Sequence, residues 1–185
     1  MTKTIGLLFI LILIIFAASC NNQSILVDID VPEQASISSQ KQVFLKITPE
    51  FENFIYRHPY EHSLSIKIGA AQSLVFKKIM KNVFFLVQTE EPSGKDDSTI
   101  MITPKLTNIE ISKPEESGLT SYECRLEYSM EIKSKKYAIN HNVLAYSRTP
   151  SNKNQSQDLS ELMSQCLRKI ASKLEIKLLE LTSEV

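Results

Sequence analysis

From residue 122 the chain alternates. Tyr122, Cys124, Leu126, Tyr128 and Met130 are separated by Glu123, Arg125, Glu127, Ser129 and Glu131. A period of two over this length places the apolar side chains on one face and the charged ones on the other. A strand with one dry and one wet face is typical of antiparallel pairing. Lys133, Ser134, Lys135 and Lys136 include no apolar residue and predict a hairpin tip, with a return strand over 137–148. A one-faced ribbon must have its apolar side covered. Leu159, Leu162, Met163, Cys166, Ile170, Leu174, Leu178 and Leu181 recur every three or four residues and predict a long amphipathic helix to do so. Asp158, with Glu161 three residues on, predicts its start as an N-cap with a capping-box-like pattern.

The upstream half carries shorter signals. Val43, Leu45 and Ile47 alternate up to Pro49, and Leu64, Ile66 and Ile68 alternate up to Gly69. Leu74, Val75, Ile79 and Val83 then change the period to helical, with Lys77, Lys78 and Lys81 opposite; a helix with a basic outer face is predicted over 70–82. Residues 83–88 read as a short, continuously apolar strand, and 90–98 as a polar loop. Residues 99–112 resume alternation, with Pro104 inside it. Proline cannot donate to a ladder, so this strand is expected to lie at an edge or carry a bulge. Residues 113–119 read as a loop. The fold class is therefore α+β: a two-layer sandwich, mostly antiparallel sheet, with two helices packed on one face. Residues 43–185 form the single domain. Residues 25–31 alternate only weakly and 32–42 is polar and Ser-rich, so 20–42 is expected to be a tether.

Composition matters at the other end. The chain is 43% hydrophobic, but residues 1–19 alone hold 14 apolar side chains and a single charge, Lys3. Setting Lys3 aside leaves 20 basic against 21 acidic side chains, a net of −1. That balance argues against a general nucleic-acid binder, which needs an excess of positive charge. The apolar run over 5–18 is shorter than the roughly 20 residues of a spanning helix. A charged start, an apolar run and small residues make an export signal over 1–19. Ala17-Ala18-Ser19-Cys20 closes it.

Those four residues resemble the lipobox of bacterial lipoprotein precursors. The resemblance implies that Cys20 is lipidated and becomes the first mature residue, holding the protein at a membrane. One acyl chain binds marginally, whereas the two or three that this family carries make a firm tether. Residue 21 is Asn rather than Asp, which in enteric lipoproteins favours the outer membrane, with the domain facing the periplasm. An exported chain permits disulfides. Cys124 and Cys166 both fall on inward-facing positions, so they are either paired or two buried free thiols.

No catalytic constellation emerges. His58-Pro59-Tyr60-Glu61-His62 matches H-x-x-E-H in letters. That motif needs both histidines on one helical face, and Pro59 followed by the strand at Leu64 leaves no room for the helix. His141 sits in the return strand. Ser93-Gly94-Lys95 lacks the rest of a phosphate loop, and Asp96-Asp97 reads as a solvated pair. The expectation is no enzyme, no metal and no cofactor. Two features suit binding: Lys133, Lys135 and Lys136 for an anion or lipid phosphate, and the aromatic set Phe51, Phe54, Tyr56 and Tyr60, either a partner surface or core.

The whole layout resembles the LPS-assembly lipoprotein family, in which a lipidated Cys precedes a strand, a helix, strands, a long hairpin and a final helix. The matching stretches here are 66–88, 99–112, 122–148 and 158–181. The resemblance implies a non-catalytic, lipid-anchored accessory of an envelope transport or assembly machine, acting with an outer-membrane or envelope protein complex on LPS or lipid. The alternatives are a periplasmic lipid or small-ligand binding lipoprotein, or an activator of a cell-wall synthase.

Overall fold

The computed structural model describes residues 23–31, 39–61, 63–89, 100–118, 120–152 and 154–183. The alternating segment is strand β7, Ser121–Lys133, and it lies inside a five-stranded sheet. The other members are β2 (Ser39–Leu45), β5 (Phe84–Gln88), β6 (Ile100–Ser112) and β8 (Ala138–Pro150), in the order β5-β2-β6-β7-β8. β6, β7 and β8 are antiparallel, whereas β2 runs parallel to both its neighbours. A second sheet has three strands, in the order β1 (Gln23–Leu26), β4 (Leu64–Lys67) and β3 (Ile55–Arg57). The architecture is α+β, with antiparallel pairing dominant and the strands divided between two mixed sheets.

Two long helices cover the inner face of the large sheet: α2 (Gly69–Val83) and α4 (Gln155–Ser183). Two single turns, α1 (Pro49–Glu52) and α3 (Pro114–Ser117), complete the set among the described residues. Cys124, Leu126, Tyr128, Met130 and Ile132 of β7 are buried beneath Leu159, Met163, Cys166, Ile170 and Leu174 of α4. The start of α4 lies earlier than Asp158. Asn154 is the cap: its side-chain oxygen accepts from the Gln157 amide. The Asp158 carboxylate instead accepts from the Asn152 backbone at 2.7 Å, tying the helix to the end of β8.

Residues 23–31 do not form a tether. Gln23–Leu26 pairs with β4, and Ile25, Val27, Ile29 and Val31 are buried while the residues between them face solvent. Ser160 and Ser164 of α4 donate to the carbonyls of Leu26 and Asp28, and Lys78 of α2 donates to that of Val31. The segment therefore lies along both helices as part of the domain. A local reading cannot find this, because every partner is more than thirty residues away in sequence.

The edges are treated differently. Ile102 accepts from Lys46 on the β2 side, after which β2 leaves the sheet. Pro104, two residues on, faces the same side, where no ladder donor is needed. A bulge between Leu106 and Asn108 follows, so β6 has both the edge and the bulge expected of it. On β8 the outer carbonyls of Leu144 and Tyr146 accept from Lys173 and Lys169 of α4. β5, read from sequence as a short apolar strand, is the opposite edge, with Phe85 69% and Leu86 37% exposed.

At the start of α2 the chain passes very close to α1. A Cβ built on Gly69 would stand 2.5 Å from the Phe54 nitrogen and nearer still to the Glu52 carbonyl, both backbone atoms. Gly69 also donates to the Phe54 carbonyl at 3.0 Å. Gly69→Ala must separate two backbones, so it is expected to lower stability by about 1–3 kcal/mol, read as a lower urea midpoint.

Candidate functional site

The site is assembled from α1, the head of α2 and the free margin of β6. Thr48 caps α1 by accepting from the Phe51 amide, and Pro49 sits in its first turn. That turn carries Phe51 inward. Its ring meets Phe76 of α2 at 5.4 Å and Tyr128 of β7 at 6.0 Å, both edge-on. Gln72 is fully buried among these rings and is satisfied on both sides. Its amide nitrogen donates to the Phe51 carbonyl, and its oxygen accepts from the Tyr128 hydroxyl at 2.8 Å.

Above Gln72 a cleft of about 330 Å³ opens where β2 has departed from β6. Phe51, Phe54, Pro104 and Leu106 form apolar walls, with Glu50 and Lys105 at the rim. Its size is at the lower limit of small-ligand sites. The apolar walls make the cleft a place for an apolar group, and Thr48, Thr103 and Gln72 also line it. Sequence reasoning missed it, although an uncharged polar residue such as Gln72 inside an apolar helix face was a usable signal.

The residues singled out from sequence fall in several places. Cys20 lies outside the described residues, three positions ahead of Gln23. Lys133, Lys135 and Lys136 are exposed at the β7–β8 turn, where Lys133 pairs with Glu131 at 2.7 Å. Beside that turn Lys41, Phe84, Ile100, Tyr137, Ile139 and Leu181 border a small apolar crevice. Phe51 and Tyr56 are buried and Phe54 is half-buried, so the aromatic set is mostly core; Tyr60 alone of the four is 86% exposed.

Cys124 and Cys166 are both buried, as free thiols. The Cys166 thiol donates to the carbonyls of Cys124 and Ala145, and the Cys124 sulfur rests 3.4 Å from Met163. The hydrogen bond with Cys166 and burial push the Cys124 thiol up. His58 is buried. Its Nδ1 accepts from the Tyr60 amide, and Nε2 lies 3.8 Å from Glu116. His62, residues 93–95 and Asp96-Asp97 lie outside the described residues. His141 is opposite Met130 in the sheet. Among the described residues no three His, Cys, Asp or Glu gather to hold a metal.

No protein-family model matches the chain, and no curated protein matches it. Solved structures do. A Xanthomonas campestris protein of the DUF330 family shares the fold: TM-score 0.58 at 8% identity, over 88% of this chain and 100% of that one. A minor lipoprotein from Acinetobacter baumannii superposes with a TM-score of 0.47 at 11% identity, over 76% of this chain and 93% of that one. For rare lipoprotein B from Shewanella oneidensis the TM-score is 0.39 at 12% identity, over 76% and 98%. At 8% identity the likeness to the Xanthomonas campestris protein is one of fold.

Two measurements check the polar core under the cleft. Tyr128→Phe leaves the Gln72 oxygen buried without its donor, at a cost of about 1–3 kcal/mol, visible in denaturant unfolding. Burial holds the Tyr128 phenol well above its usual range and pushes Tyr56 up to about 12. Both phenols are neutral in the folded protein at pH values where the unfolded chain ionises. Their contribution is therefore complete below pH 10 and is lost as pH rises from 10 through 12. Tyrosinate absorbance should lag in the native protein and appear together with unfolding.

Proposed function

We propose that the protein is a lipid-anchored, non-catalytic accessory of an envelope transport or assembly machine, tethered by Cys20 at the outer membrane with its domain in the periplasm. The observation that carries this reading is Ala17-Ala18-Ser19-Cys20 closing a short apolar run. The packing of residues 23–31 supports it. Gln23, three positions after Cys20, is already paired in a sheet, so acylation of Cys20 would hold the domain close to a bilayer. Among the described residues no helix is long and apolar enough to cross a membrane. The partner on this reading is an outer-membrane or envelope protein complex, and the cargo is LPS or another lipid.

A second reading, a lipid or small-ligand binding lipoprotein, is favoured by the cleft between Phe51, Phe54 and Leu106. An acyl or aromatic group fits its apolar walls. Leu106→Trp would fill it, so a lipid that protects the wild type against heat should lose that effect in the variant.

The anchor is tested directly. Cys20→Ala should move the protein from the membrane to the soluble fraction. Wild-type protein solubilised in detergent should bring down a barrel or transporter. Membrane retention of Cys20→Ala would overturn the lipid anchor, and recovery of no envelope complex would overturn the accessory role.

A further inference from the structure

The two faces of the small sheet differ. Ile25, Tyr56, Leu64 and Ile66 point inward and are buried in the same core as Cys124 and Leu126 of β7. The residues between them point outward. Register decides which of these stand side by side. Across β1 and β4, Ser24 is beside Ser65 and Leu26 beside Lys67. Across β3 and β4, Arg57 is beside Ser65 and Ile55 beside Lys67. Two rows therefore cross the outer face: Leu26, Lys67 and Ile55 in one, Ser24, Ser65 and Arg57 in the other. Leu26 is 68% and Ile55 41% exposed, one on each side of Lys67.

This face is cationic as well as apolar. β1, β3 and β4 contain no acid. Arg57 and Lys67 are exposed, and neither has an acidic partner among the described residues. Acids close by in sequence are engaged elsewhere: Glu52 by Lys77, Glu61 by Lys113 and Asp30 by Lys78. Asp28 lies two residues beyond the end of β1. The position of the face matters as much as its charge. Gln23 is paired with Leu64, at the end of the sheet where the β3–β4 turn carries the exposed ring of Tyr60. The three steps from Cys20 to Gln23 reach at most about 11 Å. β3 lies two strand spacings, about 10 Å, from β1. A lipid on Cys20 and the side chains of this face therefore stand close together.

We propose that the outer face of the small sheet rests on the bilayer that holds the anchor, with Arg57 and Lys67 on the phosphates of anionic phospholipids. Leu26 and Ile55 then enter the headgroup boundary, and the ring of Tyr60 lies at headgroup level, where amphipathic aromatic side chains are favoured. The proposal rests on the reading of Cys20 as lipidated, and it adds the face that meets the membrane and the headgroup chemistry it takes. Two basic and two apolar side chains would bind a free domain only weakly. The anchor makes the contact intramolecular, and there the same groups suffice to orient the domain.

The chain has no tryptophan, so a single one reports alone. Leu26→Trp, Ile55→Trp and, as a control on the solvent face of β7, Arg125→Trp change exposed positions and leave the core intact. Each full-length protein is purified from membranes with its anchor and placed in vesicles of equal parts phosphatidylcholine and phosphatidylglycerol. Brominated acyl chains should quench the tryptophan at 26 and at 55 but spare the one at 125. Adding Arg57→Glu with Lys67→Glu should cut that quenching by roughly half or more, while Arg57→Lys with Lys67→Arg keeps it. Equal quenching at 125, no quenching at 26 and 55 in protein that floats with the vesicles, or indifference to the two glutamates would overturn the proposal. Shielding from acrylamide without lipid quenching would mean that a second copy of the chain covers the face, and would overturn it as well. Cys20→Ala separates the two ideas. Its release from membranes together with unquenched tryptophans removes only the docking face, whereas its retention removes the anchor and the proposal with it.

Discussion

Three parts of the molecule meet at one buried glutamine. Gln72 of α2 takes a hydrogen from Tyr128 on the middle of β7 and gives one to the Phe51 carbonyl in α1. A buried amide with both ends satisfied holds its neighbours in one arrangement, whereas an apolar side chain could slide. The aromatic rings of Phe51, Phe76 and Tyr128 close around it. Sheet, long helix and short turn are therefore fixed relative to one another at this point. The cleft beside β6 keeps its shape because its floor is this polar link and its wall is the turn that Gly69 allows to approach.

Much of this fold is legible where the chemistry is local. β7 alternates because one face is wet, and α4 repeats every three or four residues because one stripe is dry, so both stand out in sequence. The uncommon residue on such a pattern was harder to weigh. Pro104 correctly marked an edge and a bulge, yet it could not say which strand departs. Residues 83–87 are apolar throughout, and that composition suits a buried strand and an exposed edge equally well. Residues 25–31 show alternation, but their partners Leu64, Lys78 and Ser164 are distant in sequence. Pairing of that kind follows from tertiary packing, and propensity cannot supply it.

The site was legible only in pieces. The lipobox-like residues are read without any structure. The lysines of the hairpin tip were visible too, while the pairing of Lys133 with Glu131 on the same strand became clear only in the structure. The cleft left almost no trace in sequence, because it exists where a neighbouring strand stops. Cys124 and Cys166 were correctly placed inward by periodicity, and whether two inward sulfurs bond depends on geometry that periodicity does not carry.

The path of residues 23–31 has a mechanical consequence. A pull along the axis of β1 would run in line with its parallel partner β4. The ladder is then loaded in shear, so its hydrogen bonds resist together instead of opening one after another. Behind it, Ser160, Ser164 and Lys78 grip the carbonyls of Leu26, Asp28 and Val31 in succession. Four apolar side chains would also have to leave the interior before the strand slipped. A pull in that direction therefore meets the ladder's hydrogen bonds and the buried side chains of residues 25–31 together.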